Sequence, residues 1–324
     1  MDSMKFRTEV DIKPWSEPID YDSHIVCLGS CFAQNIARCL ERSKFRVIES
    51  PTGILFNPSS IARSMEMMAN GTVDRASLIE ADGRYLSYDF HSSLSGSSPE
   101  EATTMMQEAL RIGRKAIQES DLVIVTLGTA WAYMLIETGN VVANCHKQPA
   151  ALFERKLLTI SEITDALEYI VEHAPRRVLL TISPVRHIGE GVEDNSLSKA
   201  LLRVAVNEIV AKHGNRVAYF PAYEIMMDDL RDYRFYDSDM VHPSGLAIGY
   251  IADKFFDAAL SKEAKALKQR VDKIVQATEH RPFNPNSEAY RRFVEQQLAA
   301  ISAIEGVDLS KEKSYFESVL QINL

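Results

Sequence analysis

The sequence predicts an α/β fold, an open parallel sheet with helices on both faces. Strand-like apolar runs alternate with helical patterns at least four times along the chain. Two of these runs, Asp121-Leu-Val-Ile-Val-Thr-Leu-Gly128 and Arg177-Val-Leu-Leu-Thr-Ile-Ser-Pro184, are continuously apolar, which suits strands buried on both faces. Chemistry-bearing residues recur where these strands end, and in such sheets reactive groups lie beyond the strand C-termini.

Residues 1–22 are polar and broken by Pro14 and Pro18, and read as an arm laid over the domain. Ile25 to Leu28 form a first strand that breaks at Gly29, and Phe32, Ile36, Ala37 and Leu40 continue at helical spacing. Arg46 to Pro51 reads as a short second strand followed by a turn-rich loop to Pro58. Pro58 opens a helix to about Asn70, where a missing N–H at the first turn costs little. Residues 71–100 are mixed, and Pro99 starts a helix to Glu119. After the strand at 121–128 come an amphipathic helix over 160–174, the strand at 177–184, a helix over 194–213 and a strand over 217–221. A short helix around 224–230, a loop over 232–239 and a helix from Pro243 to about Leu260 complete the domain. The chain is expected to divide into an α/β domain over 1–260 and a charged helical extension over 261–324, with helices over 262–278 and 286–304.

The chain has 324 residues, a 46% hydrophobic fraction that is ample for a core, and a net charge of -9. No basic stripe is present, so a nucleic-acid partner is not expected. The four cysteines, Cys27, Cys31, Cys39 and Cys145, have neither disulfide-framework nor zinc-finger spacing, and reduced thiols are expected. The first ten residues contain no apolar core of a leader, and no run of about 20 apolar residues occurs, so a cytoplasmic protein without a membrane span is expected. His91, His146 and His187 fall in loops near strand ends, but without the spacing of a helix-borne metal pair, so neither metal nor cofactor is expected.

Strand, tight turn and helix is the arrangement that lifts a nucleophile to a sheet end and points a helix N-terminus at it. Here that turn is Gly29-Ser30-Cys31, with two possible nucleophiles. The spacing Asp239-x-x-His242 lets a carboxylate fix the tautomer of an imidazole whose other nitrogen faces a nucleophile. A capping aspartate and a surface histidine would give the same fragment.

The run Leu-Gly-Ser-Cys-Phe-Ala-Gln-Asn at 28–35 resembles the signature of the GSCFA family. Thr126-Leu-Gly128, Val142 to Pro149, Ile182-Ser-Pro-Val185, Tyr219 to Glu224, Asp239-x-x-His242-Pro243 and His280 to Pro285 extend the resemblance over nearly the whole chain. That family is similar in turn to the SGNH (GDSL-like) hydrolases, which act as esterases, lipases and carbohydrate O-acyl transferases. The resemblance implies a flavodoxin-like, three-layer α/β/α sandwich. Laid without gaps on the Gly-Asp-Ser-Leu block of SGNH enzymes, Cys31 falls on the nucleophile and Ser30 on the preceding residue. A helix N-terminus and a nearby protonated histidine would lower its thiol from about 8.5 to roughly 3.5–7.5.

His242 would then be the base and Asp239 its orienting partner. The Gly-x-Asn-Asp block that should supply an oxyanion amide reads Gly128-Thr129-Ala130-Trp131, without the asparagine. Asn57 or Asn144 is left to supply it, with the Gly53 N–H as a further donor, and Gly128, His91 and His187 are candidate substrate contacts. The resemblance implies an acyl hydrolase or O-acyltransferase acting on an ester of a carbohydrate or cell-envelope precursor, with a small-molecule or glycan ester and an acyl donor as partners. The missing asparagine also suits a binding module that keeps the fold and crevice without the reaction. A redox role for Cys31 lacks the C-x-x-C spacing.

Overall fold

The computed structural model describes residues 8–189 and 191–322, so the first seven residues of the expected arm lie outside it. The described chain forms two compact units. One comprises residues 8–12, 24–37 and 47–254, and the other residues 13–23, 38–46 and 255–322.

The first unit is built on a parallel sheet of five strands: β1 (His24–Gly29), β2 (Arg46–Glu49), β5 (Leu122–Leu127), β9 (Arg177–Ile182) and β10 (Val217–Phe220). Their order is β10-β9-β5-β1-β2. The chain therefore moves one way from β1 to β2 and the other way from β1 through β5 and β9 to β10. Right-handed crossovers then place α1 (Cys31–Arg42) on one face, and α3 (Pro99–Glu119), α4 (Ile160–His173) and α5 (Val192–His213) on the other. This is the expected three-layer sandwich, and the strand order reverses between β1 and β5, the switch point beyond whose C-terminal ends sheets of this kind gather reactive groups.

The register pairs Val26 with Val123, Leu28 with Val125, Val123 with Val178 and Val125 with Leu180. These side chains share one face and form a core with Ile61 and Met65 of α2 (Pro58–Asn70), Met106 and Leu110 of α3, Leu167 and Ile170 of α4, and Leu202 and Val206 of α5. Each expected strand and helix of this unit is present.

Several small elements were not legible as such. β3 (Ile79–Ala81) and β4 (Arg84–Leu86) form a hairpin across Asp82-Gly83, both at positive φ, as a tight turn between strands needs. β6 (Trp131–Leu135), β7 (Val141–Val142) and β8 (Phe153–Leu157) make an antiparallel sheet in the order β7-β6-β8. β8 carries Glu154, Arg155 and Lys156, so no apolar run marks it, whereas β6 is an apolar run, Trp131 to Leu135, that was not read as a strand.

The short helix after β10 is α6 (Ala222–Glu224), which widens into a π turn over Ile225–Asp229. The last helix, α7 (Gly245–Ala259), begins two residues after Pro243. In the second unit α8 (Lys262–Glu279) and α9 (Glu288–Ser302) match the two expected tail helices. A third, α10 (Ser310–Ile322), buries Phe316 and pairs Glu312 with Lys44 at 2.5 Å.

Candidate functional site

The C-terminal ends of the central strands are knitted together by backbone hydrogen bonds. Leu55 N donates to Gly29 O (2.9 Å), and Gly128 N and Thr129 N both donate to Phe56 O (2.8 and 3.0 Å). The loop after β2 is thereby held between the ends of β1 and β5. Arg186 N, beyond the end of β9, donates to Val241 O (3.2 Å), which ties the His242 loop to the same side.

Gly29 lies at φ 119°, where only glycine is relaxed, and a Cβ there would overlap the Thr126 carbonyl. This conformation ends β1 and starts α1 within one residue. Ser30 is wholly buried, and its hydroxyl has no protein partner. Cys31, the first residue of α1, is half-buried, and its sulfur interacts with its own N–H and that of Phe32.

The expected depression of the thiol is not what this setting produces. Burial pushes Cys31 up, and outweighs the lowering by its own N–H, by Lys199 and by the Phe32 N–H. At neutral pH the sulfur is a thiol that needs a base.

Asp239 and His242 are paired as their spacing predicted. His242 Nδ1 lies 2.6 Å from Asp239 Oδ2, while Oδ1 accepts from Val241 N (2.8 Å) and His242 N (2.9 Å). The His242 N–H and imidazole, with the Val241 N–H, hold the Asp239 carboxyl down at about 2. The pair is half exposed. No hydrogen bond joins His242 to Cys31 or Ser30 among the described residues.

Gly128 is crowded: a Cβ would lie 3.0 Å from Phe56 O and 3.1 Å from His187 Nε2. His187 is mostly buried, its ring edge-on to Phe56 (centroids 5.4 Å), with Nε2 unpartnered and its backbone N–H held by Asn195 Oδ1 (2.9 Å). Burial, then Lys199, then His242 bring its imidazole down to about 4, so it is neutral at neutral pH.

Asn57 is buried and caps α2 through its oxygen (Ser60 N, 2.8 Å), and its amide NH2 donates to no protein group among the described residues. Gly53 at φ 90° gives its N–H to Ser50 O (2.8 Å), and a Cβ there would overlap His91. His91, against Gly53, has Nδ1 3.0 Å from Ser93 Oγ, while Asn144 Nδ2 approaches Ser92 Oγ (3.5 Å), which also meets His146 Nδ1 (3.1 Å).

Three residues of α5 were missed. Lys199, 2% exposed, donates from Nζ to Gly128 O and Ser183 O, both at 2.7 Å, and so ties the ends of β5 and β9. Ser198 Oγ accepts from Ala130 N (2.7 Å), and Asn195 holds His187. The signal was present: Leu202, Val206 and Ile209 form the buried stripe of α5, and stepping back by three or four reaches Ser198, Lys199 and Asn195. Polar residues on a core stripe are the informative exception to burial.

The chain belongs to the GSCFA family. The GSCFA family model matches residues 24–255, and that of the GSCFA domain protein, C-terminal domain, matches residues 271–322. No curated protein matches it. Among the described residues no group of His, Cys, Asp and Glu could hold a metal ion, and no helix is long and apolar enough to cross a membrane.

Proposed function

We propose that the protein is an SGNH-like acyl hydrolase or O-acyltransferase, acting on an ester of a carbohydrate or cell-envelope precursor through Cys31, His242 and Asp239. The observation that carries this is the Asp239–His242 contact of 2.6 Å, with the carboxylate itself fixed by two backbone N–H groups. A proton on Nδ1 leaves Nε2 as a base. Complete burial of Ser30 favours Cys31 as the nucleophile.

The Cys31 sulfur attacks the ester carbonyl carbon and its proton passes to His242 Nε2. The developing oxyanion takes hydrogen bonds from the Cys31 N–H and the Asn57 amide. The C–O bond breaks, the imidazolium returns its proton to the leaving alcohol, and a thioester remains. Water or a sugar hydroxyl then attacks that thioester, giving its proton to His242, and the sulfur leaves and is reprotonated. Contacts between such a base and nucleophile tighten in the substrate complex. The chemistry belongs to the domain of residues 1–260, with 261–324 as a helical extension, and the reduced thiol fits a cytoplasmic setting.

The test is turnover of p-nitrophenyl acetate together with mass spectrometry of the adducts. An acetyl group on Cys31, lost in Cys31→Ala and no longer formed in His242→Ala, is the expected result. A phosphonate adduct on Ser30 in place of it overturns the assignment. A second reading, a ligand-binding module, is favoured by the raised thiol of Cys31. It predicts neither adduct nor turnover.

A further inference from the structure

A cavity of about 630 Å³ lies between α2, the segments flanking the β3–β4 hairpin, and the β6–β7 turn. That is the size of a small-molecule site, about 300–1,000 Å³. Its charged lining is one guanidinium, Arg63, and two carboxylates, Asp89 and Glu137. Leu78, Leu135 and Val141 give it an apolar wall, and Tyr88 an aromatic ring. Arg63 also lines two smaller cavities, of about 480 and 150 Å³, and Asp89 lines the smaller of these.

Two features of the lining point to a ligand. The first is the Asp89 carboxylate, whose side chain is 28% exposed. Its nearest cation, Arg63 Nε, stands 3.7 Å away, too far for a hydrogen bond, and Arg63 Nη1 is given to Glu66 Oε2 at 2.9 Å. Among the described residues the carboxylate oxygens accept no hydrogen bond, so their acceptor capacity borders the cavity unused. The second feature is the frame behind Tyr88, built by the segment Val142 to Pro149. Ala143 N and Asn144 N both donate to Tyr88 O (2.8 and 3.2 Å). His146 Nε2 lies 2.7 Å from Ser87 O and so carries the proton, while Nδ1 accepts from Ser92 Oγ at 3.1 Å. The His146 ring stacks on that of Tyr88, with centroids 6.2 Å apart. His146 and Lys147 both sit at positive φ, 49° and 56°. Backbone strain of this kind persists where the surroundings over-determine it, and it clusters at active sites and ligand clamps.

We propose that this cavity is a binding site for a neutral polyhydroxylated ring, a mono- or disaccharide, held by Asp89, Arg63 and the Tyr88 ring. A sugar hydroxyl donates and accepts at once, which a carboxylate beside a guanidinium can answer on both counts. Two carboxylates against one guanidinium leave the lining net negative, which disfavours a phosphate or carboxylate ligand. The apolar wall and the Tyr88 ring suit the C–H face of a pyranose. The cavity and the proposed oxyanion donor share one helix. Asn57 caps α2, and Arg63 follows six residues on, about 9 Å along the axis. The site holds the carbohydrate part of the ester, and for that role it rests on the reaction proposed above.

The test is saturation-transfer NMR on the full chain with glucose, N-acetylglucosamine, cellobiose and N,N′-diacetylchitobiose, each up to about 20 mM, and with glucose 6-phosphate. At least one neutral sugar is expected to bind. Asp89→Asn keeps the shape and removes the charge, and is expected to weaken that binding about tenfold, as is Arg63→Gln. No transfer to any of the neutral sugars overturns the proposal, and so does undiminished binding in a folded Asp89→Asn protein. Tighter binding of glucose 6-phosphate than of glucose overturns the assignment to a neutral ligand. If Asp89→Asn does not fold, the Asp89 carboxyl carbon is followed in wild type as the bound sugar is added. It is expected to shift, and an unmoved resonance overturns the location. Turnover of p-nitrophenyl acetate without sugar binding keeps the enzyme and rejects this site. Sugar binding that Asp89→Asn weakens, without turnover, keeps the site and rejects the reaction.

Discussion

Asp239 holds His242 from two sides: Oδ2 meets the imidazole Nδ1 at 2.6 Å, and Oδ1 accepts the backbone N–H of the same histidine at 2.9 Å. One carboxylate thus fixes both the ring and the backbone that carries it. Asn at 239 can still accept the backbone N–H groups but presents an NH2 to Nδ1, which disfavours the tautomer that leaves Nε2 basic. Asp239→Asn is therefore expected to keep the fold and lower ester turnover by about 10²–10⁴. Because the Asp239 carboxyl is depressed to about 2, the pairing is fully present above about pH 4 and is lost only as pH falls through 2. Acid titration of the carboxyl carbon by NMR checks that window, and an ordinary midpoint would contradict the geometry.

Gly29 tests the turn itself. Gly29→Ala meets two penalties, a side chain at φ 119° and an overlap with Thr126 O, a backbone atom that cannot swing away. The expected loss is roughly 3 kcal/mol or more, read as a lower urea midpoint. Gly139→Ala is the control, since a Cβ there meets nothing within 4 Å and only its φ of 69° is strained. Equal losses at the two positions would show that crowding against β5 is unimportant.

The residues that built the site were legible to different depths. Gly29-Ser30-Cys31 and Asp239-x-x-His242 could be read because each is a local pattern, a strand-to-helix turn and a three-residue carboxylate–imidazole reach. The central sheet was legible because β1, β5 and β9 each carry a continuous apolar stretch, Ile25 to Leu28, Leu122 to Val125 and Val178 to Leu180, which is what burial on both faces demands. In the antiparallel sheet β8 was not, because Arg155 and Lys156 break its apolar pattern. Lys199 was hidden for another reason. Its partners, Gly128 O and Ser183 O, are 71 and 16 residues away and are backbone atoms, which sequence does not mark. The thiol of Cys31 was misjudged because a helix N-terminus is visible in sequence and burial is not.

His187 contributes to the pH dependence of stability, in the same direction as His146, which burial also lowers. Its folded imidazole titrates at about 4, against about 6.5 when unfolded. Between those values the unfolded chain binds a proton that the native chain refuses, so stability falls as pH drops from 6.5 to 4 and levels off below. The full shift is worth about 3 kcal/mol at most. His187→Gln cannot take the proton, and its urea midpoint is expected to fall less steeply over that range. Parallel curves for the two proteins would place the histidine in contact with solvent.

Asn57 can be separated into its two roles. Its oxygen caps α2 at Ser60 N, and its amide is the donor available to an oxyanion. Asn57→Asp retains the capping oxygen, and its negative charge at a helix N-terminus is favourable there, so stability is expected to hold within about 0.5 kcal/mol. The same change removes the amide donor and puts a negative charge beside the oxyanion, so turnover is expected to fall by about 10²–10³. Asn57→Ala loses both functions, with about 1 kcal/mol of stability and a similar loss of rate. If Asn57→Asp turns over p-nitrophenyl acetate at the wild-type rate, the amide is not the oxyanion donor. Asn57 is then a helix cap alone, and of the two proposed donors the Cys31 N–H remains.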